Sequence, residues 1–407
     1  MSEATLDSRQ PLEFPLARRS PLEPADGYHR LRAEQPISEI ALPTGQRAWL
    51  VTRHADVRAL LADNRISSDR THPNFPMRAP VQQRLRQGIT DIGKALIGLD
   101  LPEHSAPRRM MMQEFTLRRI EALRPRVQEI VDERIDAMLA AGPGADLVTE
   151  LATRVPASVI CELLGVPPDS RDFFQERTQV LARSTTTGQQ RLDAADDLRR
   201  FMDALVSAKE RQPSEDMLGR LITRNRTTRV FSHDLLVSMA QLLLIAGHET
   251  TSNSIALGVI GLLQRPGAVA ELRAEPGLVV RTVEEILRFY PIFDVMCRLA
   301  KEDIEIGGVT IRAGDGVVLS LGSANRDEAR FTDADAFDVR RGDRHHVTFG
   351  YGIHQCLGQN LARMELEVVF STLLRRIPTL RLAADVDQLP FIDTGTQNGV
   401  YHLPVTW

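Results

Sequence analysis

The chain has 407 residues, 26% of them charged and 43% hydrophobic, and a formal net charge of −4. That length and balance allow a large buried core, and the mild acidity argues against nucleic acid as the main partner, because phosphate binding needs a basic excess. Three cysteines, Cys161, Cys297 and Cys356, lie far apart with no C-x-x-C pair, which excludes the usual cysteine-rich zinc sites, argues against a disulfide framework and fits a reducing, cytoplasmic compartment.

Residues 1–19 are polar and proline-broken, without the apolar run of a signal peptide. The segment 1–25 reads as an irregular N-terminal extension of one domain spanning 1–407. Trp49–Thr52 predicts a strand, and Asp56–Asp63 a helix. The polar, proline-containing stretch from Arg70 to Gly98 predicts a mobile loop with short helices. Arg118–Ala141 and Val155–Leu164 carry apolar residues at i, i+3 and i+4 and predict helices, as does Phe173–Lys209, broken at 184–188. Leu235–Leu263 is apolar and long enough to span a bilayer, but His248 and Glu249 sit at its centre, where an ionised group is costly. It is therefore expected to be a buried helix, capped by Ser232 and ended by Pro266-Gly267, with no membrane partner. Val279–Arg288 predicts another helix. Gly307-Gly308 between Ile304–Ile306 and Val309–Ile311 is a hairpin signal, and Val317–Leu321 a further strand. Ala362, Leu366, Val369, Phe370 and Leu373 form one face of a late helix. Helix dominates: the fold class is mainly α with minor antiparallel β.

The segment Phe349-Gly350-Tyr351-Gly352-Ile353-His354-Gln355-Cys356-Leu357-Gly358 is a glycine-rich loop that delivers one cysteine to the start of a helix. Its glycines permit tight turns and close approach to something flat. Unpaired N–H groups after Cys356 and the helix dipole favour a negative sulfur, suited to a single axial bond to a cofactor metal. A dinucleotide-binding loop fails, because Gln355 stands where the third glycine belongs.

Ala246-Gly247-His248-Glu249-Thr250-Thr251 interrupts the apolar helix. Gly247 weakens it by about 1 kcal/mol relative to alanine. A Thr250 hydroxyl bonded to the Ala246 carbonyl would open the helix locally, with the Glu249 carboxylate beside it able to feed protons. A zinc-protease H-E-x-x-H motif is excluded by Ser252. Glu285 and Arg288 form an i, i+3 pair that by default decorates a surface. His345 and His346 are adjacent and read as structural; Cys161 reads as core.

Together these segments resemble the cytochrome P-450 family. The cysteine loop matches each fixed position of its F-G-x-G-x-H-x-C-x-G signature, six residues that recur by chance roughly once in a million chains or less. The central helix matches A-G-x-[E/D]-T, and Glu285-Ile286-Leu287-Arg288 matches E-x-x-R. The resemblance runs from about Arg30 to Trp407 and is to soluble bacterial members that oxidise secondary metabolites and foreign compounds. It implies a triangular helical prism with heme b between the central helix and the cysteine-bearing loop and helix, and Cys356 as iron ligand. It implies Glu249 and Thr250 as the acid and alcohol that deliver protons during dioxygen activation. It places Phe349, Gly358, Ala246 and Gly247 against the cofactor, and His104, Arg108, Arg298 and His354 on its propionates. It makes the Glu285–Arg288 pair buried and structural. The family's third partner precedes a Phe-Asp pair; here Ala336 precedes Phe337-Asp338, which leaves Arg340 as the candidate.

The reaction so implied is monooxygenation by O2 with two electrons ultimately from NAD(P)H. Without a flavin or nicotinamide motif, a ferredoxin and ferredoxin reductase are the expected donors, docking near Arg109, Arg340, Arg341 and Arg344. Leu243, Ile292, Phe293 and Val295 line the family's substrate pocket and suit a hydrophobic macrolide, terpenoid, steroid or statin-like polyketide. Arg84, Arg86 and Arg183 are candidates to recognise a carboxylate or sugar. A monomer is expected. Two alternatives differ in class: a heme-thiolate nitric-oxide reductase or peroxygenase, the former disfavoured by the intact Glu249-Thr250, and a non-enzymatic heme sensor.

Overall fold

A computed structural model describes residues 11–76, 94, 96–182, 186–392 and 397–407. Most of the loop expected over Arg70–Gly98, and with it Arg84, Arg86 and Arg183, lies outside the described residues.

Helices α1 (Gly27–Glu34) and α2 (His54–Ala62) lie beside the sheet. Helices α3 (Ser105–Met112), α4 (Leu117–Ala141) and α5 (Arg154–Leu164) follow. Helix α5 stops at Gly165, in the left-handed region with φ 65°, where a Cβ would also collide with the Asp216 carboxylate. The long segment predicted as a broken helix is two helices, α6 (Arg171–Ala182) and α7 (Gly188–Arg211); Thr187 and Gln190 cap the second with reciprocal bonds. Helix α8 (Met217–Thr228) starts from the Asp216 cap.

Helix α9 (His233–Leu263) is the 31-residue apolar helix, and Ser232 caps it by accepting the Leu235 N–H at 3.3 Å. After it come α10 (Pro266–Ala274), α11 (Val279–Phe289), α12 (Leu321–Ala324) and α13 (Gln359–Arg376). Helix α9 packs against α5, α7, α11 and α13. Its Leu244, Ile255, Leu257 and Ile260 are buried, each contributing about 1.5–3 kcal/mol. Among the described residues no single helix is long and apolar enough to cross a membrane; α9 and α10 pass that test only as a pair, bent by 100°.

The strands are β1 (Leu12–Glu13), β2 (Ile37–Ala41), β3 (Arg47–Val51), β4 (Ile66–Ser67), β5 (Val295–Ala300), β6 (Ile304–Ile306), β7 (Val309–Ile311), β8 (Gly316–Ser320), β9 (Arg381–Leu382) and β10 (Val405–Thr406). The main sheet runs β1-β2-β3-β8-β5-β4. It is mixed rather than wholly antiparallel, since β1–β2 and β3–β8 pair in parallel. The β3–β8 pairing joins distant parts of the chain, and no local turn signal specifies its direction. Within 1–25, the segment expected to be irregular, β1 extends the sheet edge, and Phe14 and Ala25 are buried. The β6–β7 hairpin turns on Gly307 and Gly308, at φ 57° and 77°, as the sequence predicts.

Candidate active site

The cysteine loop is built by its glycines. Gly352 has φ 73°, and a Cβ there would strike the Leu61 carbonyl at the end of α2, so only glycine lets the loop lie against that helix. The Cys356 N–H donates to the Phe349 carbonyl at 2.8 Å, closing the loop just ahead of α13. Burial pushes the Cys356 thiol up, while the N–H groups of Gly358 and Gln359 and the guanidinium groups of Arg108 and Arg363 pull it back. The net direction is up, so these donors support a thiolate only together with a further positive charge, such as a metal bond supplies.

Around this loop the structure gathers cationic and donor side chains. His104 and His354 meet at 4.4 Å between ring centroids, and the Nε2 atom of each is buried without a hydrogen-bond partner among the described residues. Arg108 donates to the Gln355 carbonyl. The Arg298 guanidinium reaches the Cys297 carbonyl at 2.8 Å and the Met296 sulfur at 3.8 Å. Burial first, then the nearby Arg70, lowers Arg298 to about 10. Burial, then Arg298, His104 and Arg108, lowers His354 to about 3. Four donor groups converging beside a cysteine loop, two with orphaned buried nitrogens, fit a flat iron cofactor bearing two carboxylates, which is what heme b is.

The middle of α9 carries the second group of expected site residues. Thr250 Oγ1 donates to the Ala246 carbonyl at 2.7 Å, the bond read from the sequence. Ala246 is exposed, and Ile245 beside it keeps 40% of its surface open. Gly247 turns away: a Cβ there would meet Ile160 of α5 at 3.3 Å, so its smallness serves the α9–α5 contact. His248 is buried, with a hydrogen bond to the Thr153 backbone, and burial lowers it to about 4. Glu249 accepts a hydrogen bond from Gln397 Nε2 at 2.9 Å. Burial raises Glu249, and Gln397 and Arg191 oppose the rise.

Of the expected pocket wall, Phe293 is open, with 39% of its surface exposed, while Leu243 and Ile292 are packed inward. Val295 belongs to the core of the sheet beside Leu50 and Val318, because it points to the inner face of β5.

Glu285 and Arg288 are fully buried and meet in two 2.8 Å bonds. Arg288 also donates to the carbonyls of Asn325, Ala334 and Ala336. The third partner is Arg341, at 3.2 Å from Glu285, and not Arg340, which pairs with Glu271 and Glu275 on the surface. The two arginines end a tight turn in which the Arg341 N–H bonds the Asp338 carbonyl at 3.1 Å, and the turn brings Arg341 back to Glu285 while Arg340 stays at its exposed rim. The neighbouring Glu284 binds His346, Arg344 and Arg363, which makes His346 structural, as read, while His345 pairs with Asp343. Sequence reasoning missed Arg363, Arg341 and Gln397. Arg363 also stacks over Phe349 at 4.6 Å, and only its place one turn into α13 hints at that role.

The chain matches the Cytochrome P450 family model over residues 70–393. It is 47% identical to pentalenic acid synthase from Streptomyces avermitilis, covering 100% of both chains. It is 46% identical to vitamin D3 dihydroxylase from Streptomyces griseolus, over 97% of this chain and 96% of the relative. The crystal structure of cytochrome P450 MoxA from Nonomuraea recticatena superposes with a TM-score of 0.91 at 48% identity, covering 97% of this chain and 98% of that one. Likeness of this extent, carried along nearly the whole chain in both sequence and fold, makes the protein a cytochrome P450 monooxygenase, a member of the family that works with heme b, O2 and electrons derived from NAD(P)H.

Proposed function

We propose that the protein hydroxylates or epoxidises a hydrophobic, medium-to-large small molecule, with Cys356 as the residue whose sulfur would hold the iron of heme b. The convergence of His104, Arg108, Arg298 and His354 on the cysteine loop, with orphaned nitrogens on both histidines, carries this reading. Bound there, heme b supplies the oxidising chemistry that inserts one atom of O2 into substrate while the other leaves as water. His104, Arg108, Arg298 and His354 hold its two carboxylates. Thr250, its proton committed to the Ala246 carbonyl, presents its oxygen lone pairs to the open face of α9 and orders a proton or water there. Glu249, half-buried beside it, exchanges protons with the interior.

The open apolar surface at Ile245 and Phe293 suits a carbon-rich substrate, in keeping with the pentalenic acid and vitamin D3 in the names of two relatives. Electrons come from a ferredoxin and its reductase. Docking centres on the exposed Arg109, because Arg341 and Arg344 are paired with the buried Glu285 and Glu284 and Arg340 with the surface carboxylates Glu271 and Glu275. The protein is one domain acting as a monomer. Reduction of the heme-loaded protein under carbon monoxide tests the ligand: a strongly red-shifted Soret band, lost in Cys356→His, supports it. A histidine-type band in the folded wild-type protein overturns it.

A further inference from the structure

The C-terminal turn, residues 397–400, is docked on three elements at once. Gly399 lies so close to α9 that a Cβ would collide with the Asn253 side chain. Asn398 donates its backbone N–H to the Ile292 carbonyl and its amide to the Pro291 carbonyl, both at 2.7 Å, and accepts from Arg18 at 2.7 Å. Arg18 also pairs with the buried Asp294 at 3.0 Å. Gln397 forms an isolated backbone bridge with Phe293, and its side chain reaches Glu249. The turn thus stands between the exposed pocket residue Phe293 and the carboxylate of the central helix, braced on both sides.

We propose that Gln397 is a positioning residue for Glu249, holding its carboxylate turned toward the C-terminal turn and so setting when that acid takes up and gives out a proton. This rests on the role proposed above for Glu249. The amide N–H favours the charged form of a carboxylate that burial disfavours. Arg191, from α7, is the charged group acting on Glu249 across the site, and His248 on the same helix is engaged on the side of Thr153. Because the backbone beside Gln397 is held at Phe293, Ile292 and α9, its amide approaches Glu249 from one side, which gives the carboxylate one preferred orientation.

The test uses the heme-loaded protein with a ferredoxin, its reductase and NADPH, without added substrate. NADPH consumption and the fraction of its electrons appearing as hydrogen peroxide are followed from about pH 6 to about pH 9. The limb of the profile lost in Glu249→Gln belongs to Glu249. In Gln397→Ala that limb moves to higher pH, and flux at neutral pH falls about threefold. Gln397→Glu, of the same size, moves it further in the same direction by placing a like charge there. Neither change adds to Glu249→Gln in the double variant. A wild-type profile in Gln397→Ala and Gln397→Glu, with Glu249→Gln altered, overturns the inference about Gln397 alone, as do additive effects in the doubles. An unaltered profile in Glu249→Gln overturns the role of Glu249 and the inference with it.

Discussion

Arg341 Nε lies 3.2 Å from the Glu285 carboxylate, which already holds Arg288 through two bonds and accepts the Asp338 N–H at 2.9 Å. One buried carboxylate therefore ties α11 to the meander ahead of the cysteine loop. Glu285→Ala leaves the Arg288 charge buried without its partner and is expected to cost about 3–5 kcal/mol. Urea denaturation and heme retention measure this. Arg341→Ala lowers the midpoint by less, and Arg340→Ala leaves it unchanged; equal effects of the last two would refute the assignment of the third partner.

Thr250→Ala removes the hydroxyl bonded to Ala246 while keeping the helix register. With an oxidisable substrate, product formed per NADPH is expected to fall about tenfold or more, with hydrogen peroxide taking the difference. Product and peroxide are quantified in the same reaction. Coupling equal to wild type would remove Thr250 from proton delivery.

His248 gives the fold an acid dependence of calculable sign. Burial holds its folded value near 4, against an ordinary value near 6.5. The imidazole is thus neutral in the fold and takes up a proton first in the unfolded chain. Its contribution is fully present above the ordinary value and is lost as pH falls toward 4, amounting to about 3 kcal/mol. In His248→Gln the loss of stability between neutral pH and about pH 4 is smaller than in wild type by that order. Identical slopes in the two proteins would mean that the histidine titrates alike in the folded and the unfolded chain.

Arg109 is exposed, whereas Arg340 spends its charge on Glu271 and Glu275. Arg109→Glu is expected to slow reduction by a ferredoxin about tenfold at low salt, an effect that fades as ionic strength rises. Arg340→Gln leaves the rate as it was. Stopped-flow reduction under carbon monoxide reports both, and a salt-independent change in Arg109→Glu would speak against electrostatic docking.

Local chemistry was the legible part. The Thr250–Ala246 bond spans one helical turn, the Ser232 cap precedes its apolar run, and Gly307-Gly308 names its own hairpin; in each, neighbouring residues determine the outcome. What stayed hidden depends on contacts between distant segments. Gln397 and Glu249 are 148 positions apart, and nothing around Gln397 marks it. Arg340 and Arg341 differ in role because the turn closed between Arg341 and Asp338 brings only the second back to Glu285. Gly247 fits a cofactor motif, yet it faces Ile160. Val295, expected in the pocket wall, follows the alternation of β5 into the sheet core. The parallel pairing of β3 with β8 is likewise a product of assembly.

The docked C-terminal turn carries a lesson for recombining relatives of this protein. Gln397 bridges the backbone of Phe293 and supplies the amide that meets Glu249. A chimera that borrows this turn to acquire a new substrate preference also borrows a new neighbour for the acid. On the roles proposed for Glu249 and Gln397, shape and proton traffic are inherited as one cassette, so donors that keep glutamine at 397 and glycine at 399 are the ones whose exchange alters the first without disturbing the second.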